Sequence, residues 1–518
     1  MIGKQKKTII IGAIVFVVLI LSYFFIVRPL LVEEEPEEEI PELLEGERLG
    51  TNNRILMFEH CEKADIKSIQ VHNKKGEYTF IRALDDNFYI KGKEAAPYSK
   101  EALSYLVVSA GYTLSLRRIT TDCQNMHDYG LAPEDDPSWY IVTRNDGTEH
   151  KVWIGNAIIT GGGYYARYEG RNAVYVLDES IAQTLLADIN YLITPVLAYP
   201  ISTTDSYTTD DFYIVKEGKL FVQIDYQTNE EKPTDAGLGS FRMLYPTNYN
   251  LNSDNYTAIL AEFEQFYGTG TVEVCETLGG DFWEIFSNPD AEVPEFDAES
   301  AVAETFARLK EKYGIDMECP YRLIHYHYHD MDTTIVFSEP DENGNMYAYS
   351  SLYDLVAQIP TSTAYFLDWD IIKFVDHPVY MENINDVAKI EVKSPDVNVT
   401  FTLTGEGTDI IIKSDRSDKA FDSTAVKNFR QWYRLLLSIN MEDYAEQTDI
   451  SEMDFMTTVT ITFDNGDVTE LSFYSYSTRR AFYTVNGNGE FYVIKTSVEK
   501  LLDNAIRVIN GDAVNADF

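Results

Sequence analysis

The sequence predicts an α+β protein: a single N-terminal transmembrane helix followed by three related repeat units, each a mostly antiparallel sheet with helices packed on one face. Three observations carry that reading. Residues 8–27, "TIIIGAIVFVVLILSYFFIV", form an uncharged apolar run. "YARYEGRNAVYVLDESIAQTLL" (165–186) aligns without a gap on "FYTVNGNGEFYVIKTSVEKLLD" (482–503). Strand-like runs are joined by Asp-Gly or Asn-Gly, as in "YIVTRNDGTEHKVWIG" (140–155) and "VTITFDNGDVTELSFYS" (459–475), the short-range signature of a hairpin.

From the N-terminus, residues 1–7 read as a basic cytoplasmic tail and 8–27 as the anchor. Twenty helical residues span about 30 Å, the hydrocarbon thickness of a bilayer. Lys4, Lys6 and Lys7 precede the run, so the positive-inside bias keeps the N-terminus in the cytoplasm. A cleaved signal peptide is the competing reading, but its apolar core is shorter and ends in a small-x-small site that is lacking here. The expectation is therefore a single-pass protein of the cell membrane with the bulk of the chain extracytoplasmic. Residues 28–50 read as an acidic Pro/Glu spacer, because like charges repel along "EEEPEEEIPELLEGE" (33–47) and Pro36 and Pro41 discourage helix.

The remainder divides into units near 51–200, 201–380 and 381–511, with a tail at 512–518. The middle copy is the most divergent. Each unit opens with a strand, such as Ile66, Ile69 and Val71, and continues into a hairpin. A helix follows, at 99–109 or 423–437, and then the turn-linked strands. Each closes on an amphipathic helix. In the last, Thr496 and Glu499 have capping-box spacing, and Val498, Leu501, Leu502, Ala505, Ile506 and Ile509 share one face. Leu185, Ile189 and Leu192 take that part in the first copy.

Charge excludes one class of partner. Asp and Glu number 84 against 42 Lys and Arg, a net charge of −42, and such a surface repels nucleic-acid phosphates.

Candidate chemistry is sparse. "RLIHYHYHD" (322–330) holds three of the chain's eight histidines. On a strand, His325, His327 and His329 share a face, and with Asp330 they compose a candidate metal set suited to zinc. One alignment sets these imidazoles on the apolar face with Val459, Ile461 and Phe463; a slip of one residue turns them outward. Tyr164, Tyr165 and Tyr168 form a candidate binding face, since tyrosines stack on sugars and anchor interfaces. In an oxidising compartment Cys61–Cys123 and Cys275–Cys319 are the expected disulfides, four free thiols being the alternative. "TGGGYY" (160–165) leads into a strand rather than a helix, which excludes a phosphate loop, and "DENGN" (341–345) reads as a hairpin turn.

The N-terminal anchor, the "DYGLAP" turn (128–133), the "VWIG…GYYARYEGRNAVYVLDESI" run and the duplicated layout resemble the bacterial family called "domain of unknown function 4340". The resemblance is clearest in the first copy; the third lacks the "YGL" element and has "TDISEMDF" in its place. It implies a membrane-anchored extracytoplasmic protein, often associated with ABC-2 type or gliding-motility type transport systems, and it supplies no catalytic residues. The functional expectation is a non-enzymatic, membrane-tethered binding or accessory module, an auxiliary component of an ABC-type exporter that meets a permease, ATPase or envelope protein. A cell-envelope polysaccharide-binding protein is the first alternative. A metal-dependent envelope enzyme using the 325–329 histidines is the second.

Overall fold

The computed structural model describes residues 41–94, 96–201, 209–228, 241–275, 298–445 and 449–515. The predicted anchor at 8–27 lies outside them, and among the described residues no helix is long and apolar enough to cross a membrane. The chain forms two compact units, one holding the described residues through Ile193 and the other those from Thr194 onward.

In the first unit a short ribbon, β1 (Arg48–Leu49) with β2 (Ile55–Leu56), precedes an eight-stranded sheet. Its strands are β3 (Ile66–Asn73), β4 (Gly76–Arg82), β5 (Phe88–Ile90), β6 (Ser115–Thr120), β7 (Ser138–Arg144), β8 (Glu149–Ala157), β9 (Gly163–Tyr168) and β10 (Val174–Asp178). In space they run β5-β4-β3-β7-β8-β9-β10-β6, all antiparallel. Helix α1 (Lys100–Gly111) lies between β5 and β6 in sequence, and α2 (Glu179–Leu185) follows β10. Strand alternation sets the core face: Ile69, Val71, Tyr140, Val142, Val152 and Ile154 are buried. Helix α1 packs on β3 and β7, and the Ser99 hydroxyl caps its start by accepting from the Ala102 N–H at 3.2 Å.

The second unit contains two sheets. One is built from β11 (Thr209–Lys216), β12 (Lys219–Tyr226), β13 (Phe241–Tyr245), β14 (Tyr249–Asn250), β15 (Gly270–Val274), β16 (Arg322–Tyr328), β17 (Met331–Phe337), β18 (Asn345–Ser350) and β19 (Leu355–Pro360), with helices α3 (Ser253–Phe263) and α4 (Ala298–Tyr313). The other has β20 (Val387–Lys393), β21 (Asn398–Thr404), β22 (Ile411–Ser414), β23 (Met441–Tyr444), β24 (Asp454–Phe463), β25 (Val468–Ser475), β26 (Arg480–Val485) and β27 (Asn488–Ile494), with α5 (Ser423–Leu437) and α6 (Lys495–Asn510). Ranked within their own sheets, the strands of the first and third sheets share one order, 3-2-1-5-6-7-8-4; the second repeats it with the two-residue β14 added at one edge.

The antiparallel α+β character matches the sequence reading; several details do not. Helices flank both faces of the middle sheet. Phe263 of α3 stacks on Tyr326 at 5.1 Å, while Leu309 and Tyr313 of α4 cluster with Val336, Tyr349 and Val356. Ile335 pairs with Ile324 on the Tyr326 face, so its neighbour Val336 points the other way. The strand after the first helix (β6, β15, β23) was not expected; in each sheet it pairs with the last strand and forms the edge.

The Thr496–Glu499 capping box does not form. Helix α6 springs directly from β27, its N-cap is Ile494, and Thr496 already lies inside the first turn. Its buried stripe is Val498, Leu501, Ala505 and Val508 with Asn504, and Ile506 faces out. Asn504 explains the rotation: its side chain exchanges hydrogen bonds with the Asn515 backbone at 2.7 and 3.3 Å and holds the C-terminal segment down. Helix α2 stops at Leu185, so Ile189 and Leu192 fall in a separate short turn. The spacer also ends earlier than expected, because Glu47 is 2% exposed and Arg48–Leu49 pair as β1.

Candidate functional site

The histidine strand is β16. Its apolar alternation runs through Ile324, Tyr326 and Tyr328, all buried, so the tyrosines take the core face and the histidines are displaced from the apolar register. Only two imidazoles share the opposite face. His329 occupies the first position of the two-residue β16–β17 turn, where φ is +54°, and its ring lies 4.2 Å from that of Tyr328. His325 stacks on Tyr213 at 4.7 Å, and its Nδ1 lies 2.8 Å from the Thr334 hydroxyl. His327 Nδ1 meets Asp210 Oδ1 at 2.6 Å, and that carboxylate raises the imidazole's pKa above 6.5. Each histidine is thus engaged by its own neighbour. Among the described residues no group of three or more His, Cys, Asp or Glu side chains is placed to hold one metal ion.

The three tyrosines of β9 do not form one face. Tyr164 and Tyr168 alternate with buried Ala166 on the inward side, and Tyr165 points the opposite way against Tyr129, ring centres 4.9 Å apart. Tyr168 is drawn into a packed cluster by Phe58 and His150; His150 Nδ1 lies 3.0 Å from its hydroxyl. Burial lowers the His150 pKa and raises that of the Tyr168 hydroxyl.

The outward face of the same sheet carries a row that sequence reasoning missed. Glu77, His72, Trp139, Trp153 and Arg167 are directly opposite one another across β4, β3, β7, β8 and β9. At about 4.8 Å per strand the row is about 19 Å long. His72 stacks on Trp139 at 5.2 Å, and the two indoles meet at 6.4 Å and 67°. Lys151 places its ammonium 4.3 Å from one indole centre and 4.0 Å from the other, and the Arg167 guanidinium lies 5.6 Å from Trp153. The Trp153 Nε1–H donates to Glu169. His72, Trp139, Trp153, Lys151 and Arg167 are all partly exposed. The available signal was "W" at 139 and 153 on the outward parity of two strands joined by a tight turn, which makes them cross-strand partners.

The four cysteines stand as thiols, so the expected disulfides are not formed. The Cys61 N–H bonds the Gly111 carbonyl just before β6, and the Cys123 N–H bonds Asn172 beyond the end of β6. The length of that strand, about 20 Å, separates them. Cys275 follows the edge strand β15, while Cys319 abuts Gly218 in the β11–β12 turn, on the far side of five strand spacings. Bridging requires Cα atoms within about 7 Å. The remaining loops are turns: Gly161 and Gly162 of "TGGGYY" join β8 to β9 at φ +78° and +88°, and Asp341 of "DENGN" accepts from the Asn343 and Asn345 N–H groups at 2.8 and 2.9 Å.

No curated protein and no solved structure matches the chain. One family model does, over a narrower range than the resemblance read from the sequence: it starts inside β5, crosses the boundary between the two compact units and ends inside β15. Over residues 89–273 the chain matches the family model described as Domain of unknown function (DUF4340).

Proposed function

We propose that this chain is a non-enzymatic module, tethered to the membrane by residues 8–27, that docks a protein partner of an ABC-type export system through the Trp139–Trp153 row. The three sheets of common strand order fit a unit used three times in one chain, at 51–200, 201–380 and 381–511. The single observation that carries the docking surface is the row itself. Two indoles and two cations on the outward side of a rigid sheet have the composition of an interface hot spot. The cations stand out against a net charge of −42, so the complementary partner surface is apolar with carboxylates at its rim. The test is purification of tagged full-length protein from native membranes in mild detergent. A permease and ATPase co-purify with the wild type and are lost from Trp139→Ala/Trp153→Ala, with hydrogen exchange in β3 and β7 unchanged. Retention of the same partners by the double variant, or emergence of the wild type alone, defeats the proposal.

Polysaccharide binding at the same row is the second reading, favoured by the indoles. The 67° angle between the rings and the Lys151 ammonium over both of them weigh against it, because a sugar needs an open ring face. Retention on isolated cell wall, abolished by the same variant, would establish it. For the metal-enzyme reading, a zinc-induced thermal shift abolished by His327→Ala is the required result.

A further inference from the structure

We infer that the first unit contains an oxyanion-binding pocket built on Arg54, Arg117 and Arg118, which takes the phosphate of a small molecule or of a lipid headgroup. The three arginines line a cavity of about 460 Å³ together with Pro41, Asn53 and Leu116, and among the described residues no Asp or Glu belongs to the lining. That size lies within the range of small-ligand pockets, about 300–1,000 Å³. Acidic residues outnumber basic ones two to one in this chain, so two arginines, Arg54 and Arg117, at one cavity with no ion-pair partner among the described residues are a departure from its composition.

The three arginines are not equivalent. Arg118 is fixed: one Nη donates to Glu47 Oε2 at 2.6 Å and the other to the Glu42 carbonyl at 2.7 Å. Arg54 and Arg117 have no hydrogen-bonding or ionic partner for their side chains among the described residues. Arg117 projects from β6, the edge strand, and is exposed. Arg54 reaches the cavity from the segment between β1 and β2. It is delivered there by two successive left-handed residues, Asn52 and Asn53 at φ +55° and +53°, which reverse the chain between β1 and β2. Two arginines at one cavity can turn their guanidinium forks to the paired oxygens of a phosphate, which takes parallel N–H···O bonds from each. Arg118, its charge neutralised by Glu47, keeps the wall in place and leaves the anion to Arg54 and Arg117.

The pocket is independent of the tryptophan row, and its test does not rely on any transport partner. Full-length protein in a neutral detergent is titrated calorimetrically with glycerol 1-phosphate, with monomeric dihexanoyl phosphatidylglycerol, and with choline chloride as control. Saturable binding of either phosphate compound is expected, weakened at least about tenfold by Arg54→Gln and by Arg117→Gln separately, since a hydrogen bond to a charged group contributes about that much. Preference for the phospholipid assigns the phosphate to a headgroup; equal or better binding of glycerol 1-phosphate assigns it to a free metabolite. Both residues are at the surface, so the variants should fold, and unchanged thermal unfolding verifies it. No binding of either compound at millimolar concentration overturns the proposal, and so does binding that survives Arg54→Gln/Arg117→Gln.

Discussion

Replacing Glu47 by alanine should unfasten the start of the first unit. Its side chain is fully covered and accepts from three directions: Arg118 Nη1 at 2.6 Å, the Tyr175 hydroxyl at 2.6 Å and the Leu44 N–H at 2.7 Å. Burial first, and then the Glu47 carboxylate, push the Tyr175 pKa up to about 12, so this hydroxyl stays a donor across the physiological range. Truncation leaves the Arg118 guanidinium, 13% exposed, without its anion and two donors unsatisfied. Removing one partner of a buried pair costs about 3–5 kcal/mol. Glu47→Gln keeps an acceptor and loses the charge, so it falls between alanine and wild type. Glu47→Ala/Arg118→Ala recovers part of the loss, because the stranded cation is gone. With more than one unit in the chain a single unfolding midpoint is ill defined, and hydrogen exchange read by peptide is the suitable assay. Global-opening amides of β3, β7 and β10 should lose roughly 10²–10⁴-fold in protection, and those of β24 and β25 should not change. A loss below about 1 kcal/mol in the first unit, or an equal loss in β24 and β25, would refute the account of Glu47 as a local clamp.

Two of the histidines, His150 and His327, should titrate in opposite directions, observable by NMR of the imidazole protons. His150, desolvated against Phe58, titrates below 6.5; its contribution to stability is present above the unfolded value and is lost as pH falls through the folded one. His327, bonded to Asp210, titrates above 6.5; its small, solvent-screened contribution is present below the unfolded value and disappears as pH rises through the folded one. The reverse order of titration would contradict both environments. A maleimide should modify exposed Cys319 first and Cys123 next, with buried Cys61 and Cys275 reacting only on unfolding, and the mass should be the same before and after reduction. Gly155→Ala should cost about 1–3 kcal/mol and free the Tyr129–Leu131 segment to exchange, because its Cβ would sit 2.3 Å from the Tyr129 carbonyl oxygen.

That last contact shows what the sequence made legible. "DYGLAP" and "VWIG" stood out as separate motifs; in the fold the turn lies on Gly155, and Gly130 takes φ +66° beside Asn156, so the two motifs are one packing unit. Hairpins announced by "NDG" and "DNG" were readable because the turn dipeptide and strand alternation are local signals. Helix α5 was readable because its 423–437 periodicity coincides with a cap, Asp422 accepting from Thr424 and Ala425. What depends on distant partners was not. Nothing in "ELLEGE" distinguishes Glu47 from Glu45; its burial is conferred by Arg118 and Tyr175, which arrive 71 and 128 residues later. The histidine stretch misled because His and Tyr alternate, and only packing against Phe263 decides which parity is inward.

The same reasoning locates where the three sheets differ. Their inward positions do one job and stay apolar: Ile69 and Val142, Ile214 and Ile324, Ile390 and Ile461 are all buried cross-strand partners. Their opposite faces share no chemistry. The first sets Trp139 beside Trp153, the second sets Tyr213 beside His325 and Asp210 beside His327, and the third sets Thr458 beside Ser472. A packing constraint acts equally on every copy of a strand order, so it cannot generate such a difference. Requirements placed on the second face of each sheet can, whether they come from a covering segment, as at the α4 side of the middle sheet, or from a partner. Only the first of the three rows combines large aromatic surface with partly exposed cations, and for that reason the docking proposal rests on it rather than on the histidines.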